Sequence, residues 1–221
     1  MRMDRERSAR TRAGGRLLSG LSLIGAVAVV ASMAVSSAAY TDMANLNLGG
    51  SGIGSEDRFD IAVVLPDNTV VQADGPAGVD WDVEGAESLV PGHSVTTEIP
   101  VFNNSPSFDA DVTMTIRVRN GDGSVGSAPN ITAFLRFTAR LSGGTYVFTD
   151  ATLADATGSI GELAKRDSAA LTAGDTYYAG APGSDETVSL TVTYLDASGV
   201  EDYNGGQSAL AVHFDAESVA P

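Results

Sequence analysis

The sequence predicts an all-β fold: an antiparallel two-sheet sandwich, similar to a jelly roll, with one irregular insertion. Two observations predict it. Several short segments alternate apolar and polar residues with a period of two, which is the pattern of strands buried on one face only. Clusters of Gly, Asn, Asp and Ser, which favour turns, lie between these segments. About eight strands at this spacing are typical of a sandwich or a jelly roll.

Residues 1–39 are predicted to be a signal peptide. Six arginines lie among the first 16 residues, an uncharged run follows from Leu17 to Ala39, and this run ends in Ser37-Ala38-Ala39. A basic region, an apolar stretch and small residues at positions −3 and −1 are typical of a secretory leader, so we expect cleavage by a signal peptidase before Tyr40. The alternative is a retained membrane anchor, because about 20 apolar residues span a bilayer.

The charge of the chain becomes more negative without this leader. The whole chain has 13 basic and 28 acidic residues, and the leader contains six of the basic ones but only two acidic ones, Asp4 and Glu6. Seven basic and 26 acidic residues remain in 40–221, a net charge of −19. A surface of this sign repels nucleic acid and anionic membranes, so we expect neither as a partner of the mature protein.

The alternating segments are predicted to be strands. In 111–120 the apolar phase consists of Val112, Met114, Ile116 and Val118. Similar patterns predict further strands at 58–65, 95–101, 131–141, 187–195 and 208–215. Because the chain contains no cysteine, no disulfide supports these strands, and a packed core or neighbouring molecules must stabilise them.

The sandwich is predicted to occupy residues 56–221 as one domain. Within it, residues 151–183 are the irregular insertion, expected to be a long loop with one short helix in 159–170. Gly121, Gly123 and Gly126 match the spacing of a dinucleotide-binding loop, but an alternating segment follows them where that loop requires a helix. We therefore expect these glycines to serve a connection between strands.

The sequence contains no recognisable catalytic constellation, so an enzyme is not expected. Cysteine and the G-x-S-x-G elbow are absent, and only His93 and His213 could act as a base. His93 lies in a predicted turn and His213 on the outward phase of the last strand, so both are interpreted as surface residues. No cofactor is expected, except that Ca²⁺ is possible at Asp109, Asp111 and Asp122, since carboxylates near loops suit that ion. The alternative is that these are ordinary surface acids.

Four arginines fall on the outward phase of two successive predicted strands: Arg117, Arg119, Arg136 and Arg140. If the two strands lie side by side, they form a basic stripe on an acidic body. Such a stripe either pairs with acids on neighbouring strands or contacts the acidic surface of the next molecule.

The mature N-terminus, residues 40–55, combines a short strand with a linker. Tyr40 begins it, and Ala44, Leu46 and Leu48 alternate with polar residues. The residues that follow, 49–55, are rich in Gly and Ser, which is the composition of a flexible linker. A strand on such a linker either pairs with its own sheet or adds to the open edge of a neighbouring copy, and in the second case repeated head-to-tail contacts make a filament.

Three parts of the chain resemble the camelysin/TasA family of biofilm matrix proteins. The junction at residues 38–42 is similar to the family's cleavage site. Residues 89–94 followed by 99–105 resemble its L-x-P-G-D turn, strand and aromatic-x-N-N-x segment, although His93 stands where the acid is usual. Residues 203–208 and the strand after them are similar to its closing segment.

This resemblance implies a jelly-roll domain, release by a dedicated signal peptidase, and assembly by donation of the N-terminal strand. Camelysin is described as a metalloprotease, but no metal-ligand set of this chain can be matched to that activity, so no residue is assigned to it. The sequence as a whole predicts a secreted subunit of extracellular fibres, in a biofilm matrix or on a cell surface, whose main partner is itself. The alternatives are a monomeric binding module for Ca²⁺ or a glycan and, third, a secreted protease.

Overall fold

The computed structural model describes residues 41–42, 58–75 and 77–219, and it confirms the antiparallel two-sheet sandwich. Ten strands are present among these residues: β1 Thr41–Asp42, β2 Ile61–Val64, β3 Val70–Val71, β4 Ser94–Asn103, β5 Asp109–Val118, β6 Leu135–Leu141, β7 Tyr146–Ala151, β8 Thr157–Leu163, β9 Asp185–Tyr194 and β10 Leu210–Val219.

The strands form two sheets of unequal size. One sheet has four strands in the order β1-β10-β5-β8, and the other has six in the order β3-β2-β4-β9-β6-β7. The apolar phase of each long strand points between the sheets, so that Val112, Met114 and Ile116 of β5 are buried together with Phe137 and Val188 of the opposite sheet. The sequence alternation therefore identifies the face of each long strand that builds the core.

The expected short helix in 159–170 is wrong, because β8 occupies the first part of that segment. The helices among the described residues are three single 3₁₀ turns, at Ala86–Ser88, Thr132–Phe134 and Val200–Tyr203. The second part of the predicted insertion, residues 164–183, does lie in a long loop, which extends to residue 184. Gly121, Gly123 and Gly126 lie in the connection after β5, as predicted, and all three have positive φ angles.

A buried polar segment at the end of β4 fixes one end of the sandwich. Asn103 donates hydrogen bonds from its side-chain amide to the carbonyl oxygens of Phe108 and Leu163, at 2.8 and 3.1 Å. The adjacent Asn104 donates to the Leu171 carbonyl oxygen and accepts from the Leu171 backbone N–H, both at 2.8 Å. These side-chain bonds replace ladder bonds where the chain leaves the sheet, and they tie the 164–184 loop to the sandwich.

The loop also contains a fully buried cation, Arg166, of which 1% is exposed. Its Nε and Nη2 atoms donate to the carbonyl oxygens of Ala169 and Tyr178, at 3.3 and 2.6 Å. Its guanidinium carbon lies 4.5 Å from the centre of the Tyr178 ring and 5.5 Å from that of Phe102. Carbonyl dipoles and aromatic faces thus replace part of the water that a buried charge loses.

Candidate functional site: an open edge and an apolar cleft

The two long sides of the sandwich differ in how the edge strands of the sheets are covered. On one side β8 and β7, the last strands of the two sheets, lie against each other, with Gly158 in contact with Val147. On the other side β10 pairs with β5 along its whole length. Among the described residues its second edge pairs only with β1, where Thr41 lies opposite Glu217 and Asp42 opposite Ala216. Residues 210–215 of β10 therefore have no partner strand on that edge among the described residues, and we call this stretch the open edge.

An apolar cleft opens beside this edge, between the two sheets. Its volume is about 2140 Å³. That exceeds the roughly 300–1,000 Å³ of a typical small-molecule pocket, and it suits a segment of polypeptide better than a compact ligand. Leu210, Val212 and Phe214 line it from β10, and Ile61 and Val63 line it from β2. The three β10 side chains are only half-buried, whereas their β5 neighbours Ile116 and Met114 are buried.

Trp81 lies at one end of the cleft and connects the 72–93 segment to the six-stranded sheet. Its indole Nε1–H donates a 2.9 Å hydrogen bond to the Thr97 hydroxyl. One residue earlier, Asp80 forms a 2.8 Å ion pair with Arg119, which follows β5 in the other sheet. Both ion-pair partners are exposed, so this bridge contributes little stability. The 77–82 segment thus contacts both sheets at the Val118 end of β5.

Asp60 lies toward the opposite end of the sandwich, where its carboxylate accepts a 2.8 Å hydrogen bond from the Asn104 side-chain amide. Burial raises the pKa of Asp60 above its ordinary value of 3.8. The hydrogen bonds that Asp60 accepts from Asn104 and Gln72 offset part of this rise, whereas the negative charge of Asp74 increases it. Partial desolvation also raises the pKa of Asp74, although this residue is exposed, and the positive charge of Arg58 opposes the rise.

The predicted self-assembly residues Tyr40, Ala44, Leu46 and Leu48 lie outside the described residues. Thr41 and Asp42, from the same segment, pair with β10 of their own chain. The strand that these residues contact, β10, was predicted from the sequence as a strand. Its open edge was not, because strand alternation does not indicate which strands are neighbours.

The single arginine stripe is wrong, because its two strands belong to different sheets. β5 pairs with β10 and β8, while β6 pairs with β9 and β7. Arg117 instead forms a 3.3 Å ion pair with Asp215 on β10, and the Nη1 atom of Arg136 donates to the Leu135 carbonyl oxygen at 2.8 Å. A role of these residues in contacts between subunits stays a prediction.

The proposed calcium ligands are not brought together. Asp109 begins β5 and accepts a hydrogen bond from the Lys165 backbone N–H, at 2.7 Å. Asp122 follows the other end of β5, and hydrogen bonds from the Ser124 hydroxyl and backbone N–H lower its pKa. Asp111, on β5, lies opposite two other acids, Glu217 and Glu162. Within residues 58–75 and 77–219, no group of three or more His, Asp or Glu side chains is arranged to hold a metal ion.

The two histidines are both exposed, His93 in the turn before β4 and His213 on β10. His93 precedes β4, and its Nδ1 atom is 3.3 Å from the Pro91 carbonyl oxygen. The Nε2 atom of His213 lies 2.9 Å from an Asp215 carboxylate oxygen. An exposed His–Asp contact of this kind is common on protein surfaces and does not by itself indicate catalysis. No nucleophile lies beside His213 and Asp215 among their described contacts.

Comparisons with known proteins leave the family open. No protein-family model matches the chain, and no curated protein is similar to it in sequence. The resemblance to the camelysin/TasA family therefore stays a prediction. Across the described part of the chain, no helix has the length and hydropathy that are needed to cross a membrane.

Proposed function

We propose that the chain is a secreted structural subunit that forms extracellular fibres by placing its N-terminal strand on the sheet of the next copy. The observation that carries this proposal is the edge of β10 at residues 210–215, which has no partner strand among the described residues and lies beside the apolar cleft. An edge of this kind binds an extended segment through backbone hydrogen bonds, while alternate side chains fill the adjoining groove. The fibre would belong to a biofilm matrix or a cell surface, after removal of the leader by a signal peptidase.

The register of β1 on β10 identifies a matching segment. Thr41 lies opposite Glu217 and Asp42 opposite Ala216. Continued residue by residue, this antiparallel register places Ala44 opposite Phe214, Leu46 opposite Val212, and Leu48 opposite Leu210. Paired residues on neighbouring strands point to the same face of a sheet. The apolar phase of the segment therefore matches the three β10 side chains that line the cleft.

The length of the linker favours a strand from another copy. Leu48 in this register would lie at the Leu210 end of β10, while Asp60 lies at the Asn104 end of the sandwich, since the Asn104 backbone N–H donates to its carbonyl oxygen at 2.8 Å. The two ends are about 30 Å apart along a ten-residue strand.

The chain has twelve steps from Leu48 to Asp60, which reach about 40–43 Å only when fully extended. A Gly- and Ser-rich linker of this length has a relaxed end-to-end distance of about 17–21 Å. Pairing of the whole segment with its own β10 therefore stretches the linker well beyond its relaxed length. When the strand is donated to another copy, the linker does not have to return along the same sandwich.

Charge sets the conditions for assembly. Copies with seven basic and 26 acidic residues in 40–221 repel one another. Salt screens this repulsion over distances longer than about 8–10 Å near physiological ionic strength. We therefore expect filaments to form more readily at high salt or with divalent cations.

The first test compares the mature chain from Tyr40 with a chain that begins at Ser55, by light scattering and negative-stain microscopy, with and without Ca²⁺. Filaments are expected from the longer chain only. If the longer chain remains monomeric in every condition, the fibre proposal fails and a monomeric binding module takes its place, with Thr41 and Asp42 paired in their own sheet as described.

The second test uses two matched variants of the full mature chain. Leu46→Asp places a charge on the phase that faces the cleft, while Asn47→Asp places the same charge on the opposite phase, one residue away. We expect Leu46→Asp to abolish filaments and Asn47→Asp to retain them. Equal assembly of the two variants would contradict strand pairing in this register, even if filaments form by another route.

A further inference from the structure

The outer face of the six-stranded sheet is partly uncovered. Near β2 and β3 it is covered by the 164–184 loop, whose Leu171 packs with Val70 and Phe102. On β4, β9 and β6 the outward side chains of 94–98, 187–193 and 136–140 are mainly Thr and Ser and have no such cover among the described residues. We call this region the threonine face.

Opposite charges lie on the two sides of the threonine face. Glu98 of β4 and Arg140 of β6 are both register partners of Ser189 on β9, which lies between them. Both charged side chains are exposed, and neither has a hydrogen-bond or ion-pair partner in the described part of the chain. With strands about 4.8 Å apart, their backbones are separated by about 10 Å.

This arrangement is complementary to itself. A two-fold axis that runs along β9 in the plane of the face brings the β4 side of one copy over the β6 side of the other. Glu98 then faces the partner's Arg140, and Arg140 faces the partner's Glu98. An interface with two-fold symmetry uses the same patch on both copies, so one pair of opposite charges gives two intermolecular ion pairs.

The residues near the axis permit a close approach. The Ser94 hydroxyl is hydrogen-bonded to that of Thr193, at 2.8 Å, and the Thr96 hydroxyl to that of Thr191, at 2.9 Å. Hydroxyl groups that already have partners lose little when water is removed from them. Their side chains are also small, so two such sheets can pack face to face at about 10 Å.

We propose that two copies of this chain pair through their threonine faces, with Glu98 and Arg140 forming reciprocal ion pairs about an axis along β9. This pairing uses neither the open edge of β10 nor the cleft, so it is independent of strand donation. The three strands present roughly 300–400 Å² per copy, which is less than the roughly 800 Å² per partner of a stable complex. Single copies therefore pair weakly, whereas an array of linked copies pairs strongly because its contacts add up.

Cross-linking of the mature chain tests the axis. Because the protein has no cysteine, Ser189→Cys introduces a single thiol beside the axis. Thr115→Cys is the matched control, since Thr115 lies on the outer face of β5, also a central strand, in the other sheet. A short bis-maleimide should give covalent dimers of Ser189→Cys and few of Thr115→Cys at the same protein concentration. Equal yields of the two variants would overturn the proposal.

Charge exchange in the Ser189→Cys chain tests the ion pairs. Glu98→Arg and Arg140→Glu should each lower the dimer yield about tenfold, since each puts like charges opposite one another at two points. The combined variant should restore the yield. Both residues are exposed, so the thermal midpoints of all four chains should agree closely. A combined variant that is as poor as the single ones, or single variants that dimerise normally, would refute the ion pairs and with them the proposed pairing.

Discussion

Gly158 of β8 lies against Val147 of β7 so closely that a Cβ atom at position 158 would be 2.6 Å from the Val147 carbonyl oxygen. The two strands belong to different sheets, so this contact brings the sheets together on one side of the sandwich. The open edge of β10 lies on the other side. Close packing at one side and an apolar cleft at the other are thus two consequences of the same strand order.

The first prediction concerns this contact. Gly158→Ala forces the two sheets apart or distorts β8, and we expect it to lower the free energy of unfolding by about 1–3 kcal/mol. Gly143→Ala is the control, because nothing lies within 4 Å of a Cβ there and the residue does not have a positive φ angle. Chemical denaturation of both variants measures the difference. A loss of the same size in both would show that the β7–β8 contact is not tight.

The same region explains why the sequence predicts some strands and misses others. In β8, Ile160 and Leu163 are both buried although they are three residues apart, a spacing that indicates a helix. The register shows the cause: Ser159 pairs with Thr113 and Gly161 with Val112, so Ile160 is an extra residue in a β-bulge. A bulge shifts the alternation by one position, and no local pattern distinguishes that shift from helical spacing.

The regular strands were predictable because they contain no such interruption. β5 and β9 pair without a bulge with β10 and β4, respectively, and their alternation continues from end to end. The separation of β5 and β6 into different sheets was not predictable, because both strands have the same alternation and are consecutive among the segments identified from the sequence. The cleft depends on that separation, so the candidate site appears only when the strand order is known.

The second prediction concerns the buried cation. Arg166→Lys removes the two guanidinium N–H groups that donate to the Ala169 and Tyr178 carbonyl oxygens. It also removes the planar group that stacks on the Tyr178 ring. We expect a loss of about 2–4 kcal/mol in the free energy of unfolding. Arg140→Lys, at an exposed position, should change it by less than about 0.5 kcal/mol. If the two substitutions have equal effects, the 164–184 loop does not depend on the guanidinium group.

The third prediction is a pH dependence with a definite sign. The pKa of Asp60 is higher in the folded protein than its ordinary value of 3.8, which applies to the unfolded chain. At a pH between 3.8 and the folded pKa, the folded state therefore binds more protons than the unfolded state. The contribution of Asp60 to the free energy of unfolding therefore falls as the pH rises through this window and is constant above it. Subtracting the pH profile of Asp60→Asn from that of the unaltered chain isolates this contribution.

Asp175 serves as a control of opposite sign. Hydrogen bonds from the Thr172 backbone N–H and hydroxyl lower the pKa of Asp175. Its contribution is complete above 3.8 and is lost as the pH falls through the lowered pKa. Subtraction of the Asp175→Asn profile should therefore give a difference that rises with pH. Two differences of the same sign would mean that Asp60 is not held in a desolvated site.

The last prediction uses Trp81 as a reporter of the cleft. It is the only tryptophan of the chain, it lines the cleft, and it is half-buried, so its fluorescence responds to whatever fills the space beside it. If assembly places Ala44, Leu46 and Leu48 of the next copy along β10, water leaves the cleft and the emission maximum moves to shorter wavelength as scattering rises. Asn47→Asp should show the same shift, and Leu46→Asp should show neither change. Filaments that form with unchanged Trp81 emission would mean that the subunits join at another surface and that the cleft remains open to solvent.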